Sequence, residues 1–331
     1  LVCGSAGGCS MGTDQTVLPP VSREPIPPTP AGVRLADAIR IFLGTVSVKN
    51  TRRGYAVVLN RMERDFGKDA NVALLNEDRV GGWFTFVWGE KAPSTFNVHL
   101  AALRTACAYW REQGWLTGDP LVRLRVKPTA PDYSKALTEA EITDVLGSDV
   151  ALREKVLWTM LYESSARAQE VLLLDIEHLD TVNRRAVVTR KGGAREVIVW
   201  QTGTARLLPR LLGGRRYGPV FLTDRKAKPS VALVDVDQAS GRGRLSYRRA
   251  AELLEAYTRG LERGPFTLHQ LRHSRLTHAA EQGASTPMLM ALGGHRSVRS
   301  LAKYTKVSAE ALGKWQADND PAARGRRSQA T

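Results

Sequence analysis

Cysteine is scarce in this sequence. Three cysteines among 331 residues are too few for a disulfide scaffold, and their spacings match no zinc-binding framework. Cys3 and Cys9 lie in a segment rich in glycine and serine, and Cys107 falls on the apolar face of a predicted helix. This usage indicates a reduced compartment, and we expect a cytoplasmic protein.

Long hydrophobic runs are missing as well. No stretch approaches about 18 consecutive apolar residues, so the sequence predicts no membrane span. The first residues lack the basic and apolar regions of a secretory signal peptide, and we expect none. The hydrophobic fraction of 43% and the charged fraction of 24% are ordinary for a globular protein. They argue against a collagen, a coiled coil and a wholly disordered chain.

Acidic residues are few relative to basic ones. The 48 lysines and arginines outnumber the 33 aspartates and glutamates, which gives a net charge of +15. A surface of this charge attracts polyanions, chiefly nucleic acid or an anionic membrane. Composition alone does not choose between these two partners.

The chain is long enough for about two domains, and its pattern divides it into five segments. The first is rich in proline and glycine and cannot bury enough apolar surface to offset the entropy of ordering. We expect a disordered segment over 1–32, a helical domain over 33–124, a linker over 125–136, a second domain over 137–315 and a basic disordered tail over 316–331.

Helical periodicity dominates the first domain, where we expect four or five helices. Its clearest apolar stripe, at helical spacing, consists of Phe96, Leu100, Leu103, Cys107 and Trp110. In the second domain, Thr138 and Glu141 have the spacing of a capping box at a helix start.

The second domain has a mixed pattern. Apolar and β-branched residues predict strands over 175–179, 186–190 and 196–200, the last two joined by a hairpin turn. Helices are predicted over 151–162, 204–212, 247–262, 271–282, 286–292 and 298–304, and an irregular loop over 227–243.

Residues able to act on a phosphate are concentrated in four places of the second domain. In chain order they are Arg167 with Glu170, then Lys191, then His269, Arg272 and His273, and last His295 with Tyr304. Arginine guanidinium groups bind phosphate oxygens bidentately and stay charged. A histidine moves protons near neutral pH, a lysine can protonate a leaving alkoxide, and a tyrosine hydroxyl can attack phosphorus. No pair of acidic residues has the spacing of a two-metal site, so we expect no metal and no cofactor.

With these motifs in this order, the chain resembles the tyrosine recombinases, the phage-integrase-type site-specific recombinases, over about residues 33–315. The run from Thr51 to Tyr55 and the pair Asp119 and Pro120 resemble that family's core-binding domain. The resemblance implies a mainly α fold with a small β-sheet: a helical, SAM-like core-binding domain and a mixed α/β catalytic domain. It also implies a bacterial or phage-type integrase that cleaves and rejoins double-stranded DNA without metal or ATP.

The resemblance implies a role for each matched residue. Tyr304 would be the nucleophile that forms a 3′-phosphotyrosine and releases a 5′-hydroxyl. Arg167 and Arg272 would hold the scissile phosphate, and His295 would donate a hydrogen bond to it.

Four further residues would assist them. Lys191 would be the general acid for the 5′ oxygen, and His269 the general base or acid near the tyrosine. Glu170 would orient the site, and His273 would be either a structural residue or one that supports the site from behind. The family's manner of working further implies a homotetramer on two synapsed DNA sites, with an accessory DNA-bending protein as an optional partner.

Three positions depart from the usual pattern of the family. Ser165 and Gly293 stand where a glycine and a leucine are usual, and Ala194 stands where the hairpin often has a second lysine. The first two are backbone or packing positions, so we expect local adjustment rather than loss of activity. Lys191 is then the only lysine candidate at the hairpin tip.

Simpler interpretations exist for the motifs taken singly. Arg167 and Glu170 could form a solvated pair on a helix, Lys191 could be an ordinary turn residue, and His269 and His273 could bind zinc. For the whole protein the alternatives are a non-catalytic DNA-binding module, with a helix-turn-helix over 285–304, and a type IB topoisomerase. An RNA-binding protein is a third alternative, but no common RNA-binding signature is present.

Overall fold

The chain divides into two compact units, Leu1–Ala130 and Pro131–Thr331. A computed structural model describes residues 32–129, 136–190, 193–301, 304, 309–318 and 320. The predicted disordered segment, apart from residue 32, lies outside the described residues, as does Lys191. None of the described helices is both long and apolar enough to cross a membrane.

The described part of the first unit is a bundle of four α-helices. The helices are α1 (Leu35–Thr45), α2 (Lys49–Phe66), α3 (Glu77–Trp88) and α4 (Pro93–Glu112). Pro93 starts α4, where its missing N–H costs no helical hydrogen bond. All five residues of the predicted apolar stripe are buried on α4, and they belong to the same hydrophobic core as Phe42, Met62 and Phe84. The helical prediction for this region is confirmed.

Residues 125–129, the first part of the expected linker, are attached to the first unit. The side-chain amide of Asn97 donates to the carbonyl of Lys127, and the backbone N–H of Lys127 donates to the Asn97 Oδ1, both at 2.8 Å. The ammonium of Lys127 also lies 4.7 Å from the ring centroid of Phe96.

The second unit is mixed, with helices in the majority. Its helices are α5 (Glu139–Gly147), α6 (Leu152–Ser164), α7 (Ala168–Leu172), α8 (Thr202–Leu212), α9 (Tyr247–Thr258), α10 (Leu268–Glu281), α11 (Thr286–Gly293) and α12 (Ala309–Asp318). A three-stranded antiparallel sheet is formed by β1 (Leu179–Asp180), β2 (Arg185–Thr189) and β3 (Arg195–Val199), and a two-stranded one by β4 (Leu222–Lys226) and β5 (Arg242–Arg244). The mainly α fold class is confirmed.

Helix α6 is the centre of the second unit, and it is buried on every side. It packs against α8 and α10, and Trp158 and Leu161 on it are about 1% exposed or less. Glu163, near its end, accepts three backbone N–H groups at the start of α8 (residues 201, 203 and 204), at 2.9 to 3.1 Å. These bonds satisfy donors that a helix start leaves without partners. The predicted capping box of Thr138 and Glu141 is present at the start of α5.

Four predicted elements need correction. The strand predicted over 175–179 is wrong, since Ile176–His178 is a turn of 3-10 helix and the strand begins only at Leu179. Here the carboxylate of Asp175 pairs with Arg244 at 2.6 Å, a tertiary contact that no local pattern encodes. The loop predicted over 227–243 ends in β5, which pairs with β4.

The other two corrections concern the C-terminal part. The helix predicted over 298–304 is, where described, a 3-10 turn at Val298–Leu301 followed by a turn at Tyr304. Helix α12 continues to Asp318, so the first three residues of the expected disordered tail are helical.

Candidate active site

The turn between α6 and α7 presents Arg167. Helix α6 ends at Ser164, and Ser165 follows in a left-handed backbone conformation with φ of 53° and ψ of 19°. Glycine takes this conformation without strain, whereas serine does not. The position where the resemblance implies a glycine is thus one whose backbone favours it. Ser165 is fully buried and turns the chain so that Arg167 precedes the first residue of α7.

Glu170 orients Arg167 through two contacts. One carboxylate oxygen accepts the backbone N–H of Arg167 at 3.0 Å, and the other accepts from its Nη1 at 2.8 Å. The Glu170 side chain is 6% exposed, whereas that of Arg167 is 46% exposed. The pair forms, but its buried carboxylate differs from the solvated pair that the simpler interpretation requires. The guanidinium is held from behind and faces solvent.

Arg272 connects two distant parts of the site. It lies on α10, is 2% exposed, and donates from Nη1 to the carbonyl of Ser165. Its Nη2 donates to the carbonyl of Gly293 at 2.6 Å and lies 3.2 Å from Nε2 of His295. The side chain therefore joins the turn that carries Arg167 to the segment that carries His295.

The environment of Arg272 favours an anion. Burial, followed by the positive charge of Arg167, lowers the pKa of Arg272 to about 10, and Arg190 acts in the same direction. The group still carries its charge at neutral pH. Because its pKa is lower in the folded chain than in the unfolded one, the charge costs stability at neutral pH. A bound phosphate would offset that cost.

His295 follows a glycine turn at the end of α11. Gly294 is left-handed with φ of 55°, and the backbone N–H of His295 donates to the carbonyl of Met290 at 2.9 Å. A Cβ on Gly293 would lie only 2.4 Å from Cδ2 of His295. The position where a leucine is usual in the family is thus one where this chain has no room for a side chain without moving the imidazole.

Tyr304 lies beside two histidine rings. Its ring centroid is 5.9 Å from that of His295 and 4.8 Å from that of His273, which meets it edge to face. Tyr304 is 2% exposed and belongs to a small buried cluster with Leu276 and Leu301. His273 is also buried.

His269 and Lys191 are the remaining predicted site residues, and fewer of their surroundings are described. His269 is exposed on the first turn of α10, three residues before Arg272, so the two lie on the same face of the helix. No group of three histidine, cysteine or acidic side chains that could hold a metal occurs among the described residues. For Lys191, only the flanking hairpin is described: β2 and β3 pair in register up to Thr189 and Arg195.

Arg190 is a site residue that the sequence interpretation missed. It is 7% exposed, and its Nη1 donates to the carbonyls of Gly293 and Gly294 at 3.1 and 3.2 Å. A signal was available, because Arg190 continues the alternation of the buried Ala186 and Val188 along the strand. An arginine at an inward-facing position needs a buried partner.

Comparisons with known proteins agree on one family. The model of the phage integrase family matches residues 132–311. The tyrosine recombinase XerC of Mycobacterium tuberculosis is 29% identical over 278 residues, which covers 80% of this chain and 90% of the relative.

Solved structures with the same fold include two integrases bound to DNA. The Tn1549 transposon integrase in complex with a circular intermediate DNA has a TM-score of 0.63 at 16% identity, covering 87% of this chain and 100% of that one. A lambda integrase tetramer bound to a Holliday junction has a TM-score of 0.64 at 14% identity, with coverages of 85% and 80%.

Proposed function

Because the chain belongs to the phage integrase family, we propose that Arg167, Arg272, His295 and Tyr304 form the active site of its recombination reaction. The protein is a tyrosine-type site-specific recombinase that cleaves and rejoins double-stranded DNA. One observation carries the assignment of the site. The buried guanidinium of Arg272 contacts the Ser165 carbonyl and the Gly293 carbonyl, so that it brings together motifs separated by more than a hundred residues.

The scissile phosphate would bind between the two arginines. Arg167 is half exposed and held at its rear by Glu170, so its N–H groups can form a bidentate pair with phosphate oxygens. Arg272 supplies a second positive charge from the buried side. As a pentacoordinate transition state gains negative charge, both guanidinium groups and His295 would stabilise it more strongly than the ground state.

Strand cleavage would then exchange the bond between phosphorus and the 5′ oxygen for a bond to tyrosine, while the bond to the 3′ oxygen is kept. The hydroxyl oxygen of Tyr304 attacks phosphorus, its proton passes to a base for which His269 is the candidate, and the bond to the 5′ oxygen breaks. Lys191 is the candidate that protonates the leaving 5′ oxygen. The energy of the broken bond is kept in the 3′-phosphotyrosine, so that attack by another 5′-hydroxyl rejoins the strand without ATP.

The basic residues of the first unit would hold the duplex through its phosphates. Arg53, Arg61, Arg64 and Lys91 line an open groove of about 570 Å³ formed by α2 and the end of α3. Such contacts release counterions and weaken with added salt. Together with the net charge of +15, they would give the protein an affinity for DNA that does not depend on the base sequence.

The assembly and its location are further parts of the proposal. We expect a homotetramer that exchanges strands between two synapsed sites, with an accessory DNA-bending protein at some of them. The solved lambda integrase complex is a tetramer on a Holliday junction. The enzyme would act on DNA in the bacterial cytoplasm.

The test of the site is the trapping of a covalent adduct. A nicked suicide duplex that carries the recombination site loses its short 5′-hydroxyl fragment after cleavage, so the phosphotyrosine accumulates. Tyr304→Phe should abolish the adduct while leaving DNA binding intact, because only the nucleophilic oxygen is removed.

Tyr257→Phe is the matched control. Tyr257 lies on α9 and packs against Trp158, with ring centroids 5.4 Å apart. The Tyr257→Phe variant should form the adduct at the wild-type rate. An adduct that persists in Tyr304→Phe would refute the assignment. Relaxation of plasmids that lack the site would instead indicate a topoisomerase.

A further inference from the structure

Arg190 is a buried charge that the mechanism above does not use. It directly follows β2 on the inward-facing side of that strand, and its side chain is 6% exposed. Its Nε lies 2.7 Å from a carboxylate oxygen of Glu196 on the neighbouring strand, which neutralises part of its charge. Its Nη1 reaches the segment that precedes His295.

Two arginines meet on one carbonyl there. The carbonyl of Gly293 accepts from Nη1 of Arg190 at 3.1 Å and from Nη2 of Arg272 at 2.6 Å. The carbonyl of Gly294, which is bonded to the amide nitrogen of His295, also accepts from Arg190 at 3.2 Å. Both peptide groups before His295 therefore have their carbonyls held by the same side chain.

The glycines make this contact possible. A Cβ on Gly294 would lie 1.7 to 2.1 Å from the guanidinium atoms of Arg190, far inside van der Waals contact. The guanidinium thus packs directly against the backbone of Gly294. On the neighbouring residue, a Cβ on Gly293 would press on the imidazole of His295. The turn is tightly enclosed, with Arg190 on one side and His295 on the other.

We propose that Arg190 is a positioning residue for the recombination reaction: by holding the carbonyls of Gly293 and Gly294, it sets the positions of His295 and Arg272 at the scissile phosphate. The inference rests on the proposed function of that site. Arg190 touches the carbonyl that Arg272 also uses, so loss of its guanidinium removes one of the two donors that keep this peptide in place. A displacement of about 1 Å in groups that contact a transition state can cost a hundredfold in rate.

The alternative is that Arg190 acts through its chain neighbour, the proposed proton donor Lys191. A substrate with sulphur in place of the bridging 5′ oxygen separates the two routes. A thiolate leaves without a proton, so this substrate restores cleavage to a variant that lacks the general acid. It does not restore cleavage when the groups on the non-bridging phosphate oxygens are displaced.

The experiment measures single-turnover adduct formation at saturating DNA for Arg190→Ala, Arg190→Lys, Lys191→Ala and Arg185→Ala. Arg185 is the matched control, since it begins the strand that Arg190 follows but is exposed and pairs with Asp180 at 2.8 Å. We expect Arg190→Ala to be about 10- to 100-fold slower with unchanged DNA affinity, because the side chain is buried. The sulphur substrate should rescue Lys191→Ala and leave Arg190→Ala slow, and Arg185→Ala should match the wild type.

Arg190→Lys keeps the charge but not the planar fork that spans two carbonyls, so it should retain a smaller defect. If thermal unfolding shows that Arg190→Ala is not folded, Arg190→Lys is used in its place to test the proposal. Wild-type rates in both variants, or rescue of either by sulphur, would overturn the inference. A wild-type enzyme that forms no adduct through Tyr304 would instead overturn the proposed function, so the two failures are distinguishable.

Discussion

Arg167 and Arg272 have the same side chain and the same target in the proposed reaction, yet they differ in burial and in the partners that hold them. Arg167 is half exposed and is held by one carboxylate, that of Glu170. Arg272 is 2% exposed and is held by backbone carbonyls from two segments. The buried arginine connects elements of the second unit, whereas the exposed one projects from a single turn.

The difference teaches which part of the site belongs to the folding of the chain. A buried guanidinium needs partners for its N–H groups, and the carbonyls of Ser165 and Gly293 provide them. Removing it takes away the Arg272 donor to the Ser165 carbonyl and one of the two arginine donors to the Gly293 carbonyl. Removing the exposed arginine leaves its former partner, Glu170, with the backbone N–H of residue 167, and water can replace the rest.

Arg272→Ala should produce the largest effect, because it should damage both chemistry and stability. The adduct rate should fall by at least a factor of about 10³, as expected for loss of a main transition-state donor. The free energy of unfolding should fall by about 2 kcal/mol. The lost hydrogen bonds and the new cavity outweigh the gain from no longer burying a charge. Chemical denaturation and adduct trapping measure the two effects. A fully stable Arg272→Ala would break the comparison.

Arg167→Ala should separate the two effects. The adduct rate should fall by a factor of about 10² to 10³, because a phosphate donor is lost. The free energy of unfolding should change by no more than about 1 kcal/mol, because the ion pair is half exposed on the arginine side. The same two assays apply. A loss of stability as large as that of Arg272→Ala would show that the exposed arginine is also structural.

Ser165→Gly should have the smallest effect and the opposite sign. Glycine relieves the left-handed backbone at φ of 53°, and it removes a hydroxyl that has no hydrogen-bond partner among the described residues. Glycine is also more flexible in the unfolded chain, which reduces this benefit. The free energy of unfolding should therefore rise by about 1 kcal/mol. The carbonyl that accepts from Arg272 is retained.

Arg184→Gly is the control for this substitution, because Arg184 has the same φ of 53° but lies in an exposed turn. It should gain less, since no buried hydroxyl is removed. Denaturation midpoints of both variants at equal slope provide the measurement. A Ser165→Gly variant less stable than the wild type would mean that the left-handed turn is held without strain.

Much of the fold could be predicted because it depends on local pattern. The stripe from Phe96 to Trp110 has helical spacing, and all its members are buried on α4. The strands of the hairpin alternate, and β2 and β3 lie within one residue of their predicted ranges. The strand expected over 175–179 failed at 176–178, where the backbone N–H of His178 donates to the carbonyl of Asp175 at 3.0 Å and closes a 3-10 turn, while the Asp175 carboxylate pairs with Arg244 from a distant strand. Such long-range pairing leaves no mark on the local sequence.

The sequence by itself determined which residues could act on a phosphate, since that depends only on side-chain chemistry, on chain order and on the family pattern they match. The tertiary structure decided how they are held. It made Arg272 the buried link between the Ser165 turn and Gly293, and it brought Arg190 onto the same carbonyl. The physical reason is that buried guanidinium groups must find acceptors wherever the folded backbone leaves them. Only the packing of α6, α10 and the hairpin places those carbonyls within reach.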